Sequence, residues 1–178
     1  MDTKALYRLS YGMFVVCSKK GDKLNGQIAN SVFQMTSAPP TIAVCINSNN
    51  LTHSYISESK VFTASILGMT TPLPFIGGFG FRSGRDVNKL EGISYKIGKT
   101  GAPIILDNTV AYIEARVIKQ LDLDTHTIFV GELVDAEILT EKEVMTYAYY
   151  QQVKRGTTPA TAPTYIAENK EIKPHEQV

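Results

Sequence analysis

Apolar and polar positions alternate with a period near two through most of this chain. FVVCS (14–18), QIANSVFQMT (27–36), TIAVCIN (41–47) and FTASIL (62–67) are β-branched or alternating runs, and such runs predict strands. Lys-Gly-Asp, Pro39-Pro40 and clusters of Asn and Ser separate them. These connectors are turn formers and too short for helical crossovers, so the early sheet is expected to be antiparallel. Further on, VAYIEARVIKQLDL (110–123) and HTIFVGELVDAEIL (126–139) are divided only by a tight turn, which predicts one long hairpin.

Helical signals are brief. The spacing of Leu6 and Leu9, with Gly12 beyond, predicts a short amphipathic helix over 3–11. Asn50 is placed to cap a second helix over HSYISESK, and Pro72 opens a third that ends in glycine-rich backbone. EKEVMTYAYYQQVKRG (141–156) reads as a final helix. The expected architecture is mainly β: a six-stranded antiparallel barrel with short flanking helices. Residues 1–156 form its domain, and 157–178 form a proline- and threonine-rich extension that gains order by docking through Pro163, Tyr165 and Ile166.

Composition narrows the class. A chain of 178 residues with 43% hydrophobic and 20% charged content fits one soluble globular domain. A net charge of +1 with scattered basic residues argues against nucleic acid or an anionic membrane as partner. No apolar run approaches a membrane span, and the N-terminus lacks a signal-peptide core, so a cytoplasmic location is expected. Cys17 and Cys45 lie inside apolar runs and read as buried thiols. The three histidines have no ligand spacing, and no CxxC, HExxH, GxSxG, P-loop or GxGxxG pattern occurs; neither a metal centre nor a hydrolytic or Rossmann-type site is expected.

The candidate chemistry lies in NGQIANSVFQMTSAPPTIAVCINSNNLTH (25–53), whose polar groups are almost all neutral amides and hydroxyls. Such groups suit a planar, uncharged, hydrogen-bonding ligand that also needs apolar contacts. Asn30, Ser31, Gln34 and Thr36 stand beside Ile28, Val32 and Phe33, while Asn47, Ser48, Asn50 and Thr52 precede a helix N-terminus suited to phosphate. Arg82 and Arg85 around Ser83-Gly84 offer a second anion clamp. Each has an ordinary alternative: Asn and Ser runs make turns, arginines are solvated, Gly77, Gly78 and Gly80 end a helix, and His126 sits in a turn. The residues alone lead to an antiparallel barrel with a neutral polar groove.

Taken in order, GQIANSVFQMTSAPPTIAVCINSNNLTH, FIGGFGFRSGRDVNKLEG, TGAP, THTIFVGELVDAEIL and YAYYQQVKRGTTPATAPTYI resemble flavin reductase-like proteins of the FMN-binding split-barrel fold. The likeness is to the flavoprotein half of high-molecular-weight rubredoxins, to flavoredoxins and to archaeal ferric reductases. It implies an FMN-binding homodimer that passes electrons from NAD(P)H to flavin, rubredoxin or ferric chelates. An FMN-binding electron carrier without direct NAD(P)H reactivity is the alternative. By position, the resemblance places Gln27, Ile28, Ala29, Asn30, Ser31 and Val32 along the flavin ring. Thr36, Asn47, Ser48, Asn50, Thr52 and His53 go toward its ribityl and phosphate end. Phe81, Arg82, Ser83 and Arg85 lie on a loop approaching cofactor or nicotinamide, His126 on the nicotinamide side, and Tyr165 as a cover from the partner subunit. Because no further cysteine follows TAPTYI, an iron-protein partner is expected to be a separate molecule.

Overall fold

The computed structural model describes residues 2–165. Its main element is a seven-stranded, wholly antiparallel sheet. The strands are β1 (Phe14–Lys20), β2 (Lys23–Ala29), β3 (Val32–Ser37), β4 (Pro40–Asn47), β5 (Val61–Leu67), β8 (Thr109–Asp122) and β9 (His126–Ile138). Their order is β2-β1-β5-β8-β9-β4-β3, and β6 (Tyr95–Ile97) and β7 (Pro103–Ile105) form a separate small hairpin. The two edge strands β2 and β3 are successive in the chain and joined only by Asn30 and Ser31. The sheet therefore curls until its edges meet there, and Cys45 N–H donates to the Ser31 carbonyl at the seam (3.0 Å).

The mainly β, antiparallel expectation is met, with seven strands where the apolar runs count six. The run 27–36 is two strands, because residues up to Ala29 pair with β1 while residues from Val32 pair with β4. Alternation continues across the break, so periodicity cannot reveal it. The long hairpin is present, with β8 paired to β9 from Ala111–Ile138 to Asp122–Thr127.

Burial on both faces explains the apolar runs. Met13, Val15, Cys17, Leu67, Ile76, Phe79, Met145 and Tyr150 belong to one core between the sheet and the short helices. Val16, Ile42, Val44, Ile46, Phe62, Ala64 and Phe129 form the second, inside the curl. Val15 and Val16 point oppositely and are both fully buried, so β1 is central to both cores.

Helices α1 (Leu51–Ser59) and α2 (Leu73–Gly80) stand where Asn50 and Pro72 predict them. The final helix is much shorter than the run 141–156 suggests: α3 spans Tyr147–Gln152. The residues before it stay extended because Met145 N–H donates to Leu67 O and Tyr147 N–H to Tyr11 O, both over 2.8 Å. Thr146 then caps α3 by accepting the Tyr149 N–H (3.1 Å). At the N-terminus a 3-10 turn, Thr3–Arg8, replaces the expected amphipathic helix. Leu6 and Leu9 are exposed, so no apolar stripe is buried to hold a longer helix. The docking expected of Ile166 and of the remaining extension to Val178 lies outside the described residues.

Candidate functional site

Four parts of the chain converge on a cavity of about 340 Å³, within the usual range for small-molecule sites. Strand β2 and its end contribute Asn25, Gln27, Ile28, Ala29 and Asn30, and β4 contributes Cys45 and Asn47. The start of α1 brings Asn50, Leu51 and Thr52. The loop after α2 brings Phe81, Arg82, Ser83, Gly84, Arg85 and Lys89, over an apolar floor that includes Met13, Ile76 and Phe79.

The polar wall is held by its own hydrogen bonds. Asn25 Nδ2 donates to Thr52 Oγ1 over 2.8 Å, which ties β2 to α1. Asn47 Oδ1 accepts the Asn49 N–H (3.0 Å), forming the turn that delivers the chain to α1. Asn50 has the extended backbone of a cap but makes no side-chain capping bond. The His53 N–H donates to Asn50 O (3.1 Å), while Leu51 and Thr52, whose first-turn N–H groups have no acceptor one turn back in the helix, line the cavity without a side-chain cap from Asn50. Arg85 Nη1 donates to Asn49 O (3.1 Å), bringing its positive charge to the same place. A Cβ on Gly84 would run into the Asn25 amide, so glycine there permits the loop to close on β2.

Inside the wall, Gln27 Oε1 is a buried acceptor without a donor among the described residues. Its Nε2 reaches Ile28 O only at 3.5 Å. Buried amide oxygens normally have partners, so this amide marks a position for a ligand N–H. Among the described residues, the lining includes three cations, Arg82, Arg85 and Lys89, and no carboxylate or imidazole.

The predicted site residues divide accordingly. Gln27, Ile28, Ala29, Asn30, Asn47, Asn50, Thr52, Phe81, Arg82, Ser83 and Arg85 line the cavity. Ser31 lies just beyond it and donates to Asn30 Oδ1 (3.1 Å). Val32 turns toward the inner core. Thr36 is exposed near the end of β3, beside the turn that holds the cis Ala38-Pro39 bond; its Oγ1 donates to Pro39 O (2.5 Å) and is hydrogen-bonded to Thr41 Oγ1 (2.6 Å). Ser48 donates to Thr125 O (3.2 Å). His53 Nε2 is bonded to Thr127 Oγ1 (2.8 Å), and burial holds its pKa below the ordinary value.

His126 faces Asn47 across the β4–β9 register, outside the lining. Its ring joins Thr125 Oγ1 (2.8 Å) to Thr161 O (3.3 Å). That second contact belongs to the beginning of the extension, which runs along the cavity through Thr157 and Pro159–Pro163 of the same chain. Asn30 Nδ2 donates to Thr164 Oγ1 (2.7 Å), fastening the segment at its other end. Tyr165 follows, partly exposed, and does not line the cavity. Asn25, Cys45, Lys89 and the apolar floor escape a reading by residue type. Asn25 looks like a turn residue, Cys45 like core and Lys89 like surface charge. The adjacency of Lys89 to the arginine loop was the one available signal.

Comparison with known proteins places this geometry. The flavin reductase like domain model matches residues 6–158. The chain is 53% identical over 173 residues to the high molecular weight rubredoxin of Moorella thermoacetica, covering 97% of this chain and 76% of that protein. It is 51% identical over 166 residues to a ferric-chelate reductase (NAD(P)H) of Archaeoglobus fulgidus, covering 93% and 98%. Among solved structures, an NADH:FAD oxidoreductase of Streptomyces globisporus superposes with a TM-score of 0.73 at 23% identity, over 80% of this chain and 84% of that one. A flavoredoxin of Methanosarcina acetivorans gives 0.67 at 23%, over 72% and 69%. At these identities the solved structures speak for the fold alone. By the extent of the family match and the identity of its relatives, the chain belongs to the flavin reductase like domain family.

Proposed function

We propose that this protein is an FMN-dependent NAD(P)H oxidoreductase that passes electrons on to flavin, a rubredoxin-type iron protein or ferric chelates. The observation that carries this reading is the cavity wall of amides, hydroxyls and three cations, with neither carboxylate nor imidazole among its described residues. Such a wall binds and orients, and its described residues lack the carboxylate or imidazole commonest in acid–base work. This favours chemistry that arrives with the ligand.

The residues fit a flavin. Gln27 Oε1 is an acceptor suited to the ring N–H of a flavin pyrimidine, and Asn30 offers a second amide beside it. Arg82, Ser83, Arg85 and the opening turn of α1 suit a phosphate. When bound, FMN supplies hydride acceptance from a nicotinamide and release of electrons singly to metal acceptors.

This chain's part is orientation and shelter. The Asn25–Thr52 bond sets the spacing between ring wall and phosphate turn, and Ile76, Phe79 and Met13 keep the floor dry. His126 stands on the rim, where a nicotinamide-side role remains its proposed one. The Pro159–Pro163 segment limits entry from above.

The relatives' names support iron acceptors: one is a rubredoxin, the other a ferric-chelate reductase. A homodimer in the cytoplasm is the accompanying proposal. Phe33 and Met35 on edge strand β3, with Leu121 and Leu123 at the long hairpin, leave large apolar side chains half exposed, as an association surface would. Tyr165 of a second copy would then cover the flavin.

Anaerobic titration of the FMN-loaded protein with NADH and with NADPH tests the proposal. Bleaching of the flavin absorbance by either nicotinamide, reversed by ferric citrate or rubredoxin, is the expected result. Failure to retain FMN would sink the reading. Retention without bleaching would leave an electron carrier loaded by another reductant.

A further inference from the structure

Helices α2 and α3 end alike. Each closes on an exposed apolar residue, Phe81 (52% exposed) and Val153 (61%). Cations follow at once, Arg82 and Arg85 after the first, Lys154 and Arg155 after the second. The two helices share one core through Ile76, Phe79, Tyr147 and Tyr150, and both endings border the cavity. Arg82 and Arg85 line it, and residues 154–156 bridge Tyr150 and Thr157, which line it too. Gly156 N–H donates to Tyr150 O and Tyr150 Oη to Thr157 O, both over 2.9 Å, which fixes that bridge.

Backbone convenience does not account for Arg155. Its φ of 56° is the left-handed conformation, which glycine or asparagine takes after a helix with less strain. Gly156 beside it is small for a reason of space, since a Cβ there would run into the Tyr150 ring. An arginine standing at a left-handed position points to a use for its side chain. Arg155 is exposed, and among the described residues the ion pairs engage Lys20, Lys96 and Lys99 but none of Arg82, Arg85, Lys154 or Arg155. In segments 81–89 and 153–156 the cations are Arg82, Arg85, Lys89, Lys154 and Arg155, against the single carboxylate of Asp86. The whole chain carries a net charge of only +1, so this is a local concentration.

Exposed apolar side chains ringed by arginines have the make-up of a protein interface, and unpaired cations steer an anionic partner to it. We infer that the two helix endings form a docking surface for an acidic one-electron iron protein, which seats on Phe81 and Val153 and is oriented by the cations around them. The inference rests on the proposed reading of an iron-protein acceptor and adds where that acceptor docks and what charge it carries. A second copy of this chain fits the face poorly, because a two-fold contact would set these cations against one another. Two carriers, each reduced from ferric to ferrous by one electron, together take the electron pair of one hydride and leave its proton to solvent.

Stopped flow tests this on the FMN-loaded protein, reduced beforehand with dithionite and mixed anaerobically with a rubredoxin of net negative charge. The second-order rate is expected to fall about tenfold as salt rises through the range that screens surface charge. At low salt Arg155→Glu should lose about tenfold, and Val153→Asp should lose as well. Neither residue lines the cavity, so bleaching by NAD(P)H and reoxidation by benzoquinone, small and uncharged, should match wild type. Arg155→Gly separates charge from fold: it relieves the left-handed position, so the rubredoxin rate should drop while the melting temperature holds or rises.

A rubredoxin rate that ignores salt, or that Arg155→Glu and Arg155→Gly leave unchanged, overturns the docking surface. A shift of oligomeric state in Arg155→Glu, read by sedimentation, would give the face to a second copy and overturn it equally. Reduced wild type that serves benzoquinone but not rubredoxin would remove the iron-protein acceptor and the docking surface together. Failure of NAD(P)H to bleach the flavin counts only against the oxidoreductase reading, since the dithionite-reduced protein still decides the docking.

Discussion

Asn25 on β2 donates its side-chain amide to the Thr52 hydroxyl in the first turn of α1, over 2.8 Å and with both residues buried. One bond thus joins the strand that bears Gln27 and Asn30 to the helix start proposed to take the phosphate. Thr52→Val keeps the shape but leaves the Asn25 amide without its acceptor. It should cost about 1–3 kcal/mol, the range for an unsatisfied buried polar group. Urea unfolding measures this, and Asn25→Leu combined with Thr52→Val should recover part of it. A double variant whose losses simply add would show that the two residues act independently.

Gly84 makes the same contact from the loop side. A methyl group there meets the Asn25 amide, so Gly84→Ala pushes the arginine loop off β2. FMN affinity should fall about tenfold, the equivalent of about 1.4 kcal/mol. The melting temperature should change little, because the loop contributes little to either core. Fluorescence titration of the flavin checks the first effect and thermal unfolding the second.

Glu114 on β8 is fully buried, and its carboxylate accepts N–H groups from Lys99 (2.9 Å) and Thr100 (2.5 Å) in the β6–β7 turn. Charge-assisted bonds of this kind are the stronger ones. Glu114→Ala abandons both donors and opens a cavity, and should destabilise by about 3 kcal/mol or more. Glu114→Gln, which keeps an acceptor oxygen, should lose less. Chemical denaturation that ranks the two variants in the reverse order would refute this account of the turn.

Cys17 sets a pH dependence with a definite sign. Burial pushes its thiol up to about 12, whereas an unfolded cysteine ionises near about 8.5. Between those values the folded chain holds a proton that the unfolded chain has lost, so stability falls as pH rises. Cys17→Ala should flatten this alkaline decline while lowering stability at neutral pH through lost packing. Lys89 works in the opposite direction. It is neutral above about 8 in the fold but charged until about 10.4 when unfolded, and so gains stability over that window. Unfolding curves of wild type, Cys17→Ala and Lys89→Gln across alkaline pH separate the two.

Much of the site was legible as residue type. Neutral amides in 25–53 and arginines around Ser83-Gly84 do line one cavity. Thr36 and Ser48 have the same neutral hydrogen-bonding character as Asn30 and Asn50, yet they lie near the far end of β3 and beside Thr125. Nothing in their identity separates them from the lining residues. Their position along the strands does, and a strand's alternation gives its faces without telling which end of it meets the ligand.

By itself the amino-acid sequence determined the period-two strands, the turns between them, the neutral character of the candidate wall and the family. These are local properties of side-chain pattern and of motif order, so they survive without knowledge of contacts. Only the tertiary structure decided that one alternating run is two strands meeting at Asn30-Ser31. It also joined Asn25 to Thr52, turned Lys89 inward, and laid Thr157–Pro163 beside the cavity. Each of these depends on strand register or on groups supplied by distant segments. Such pairings are settled by the packing of the whole sheet rather than by any stretch of chain.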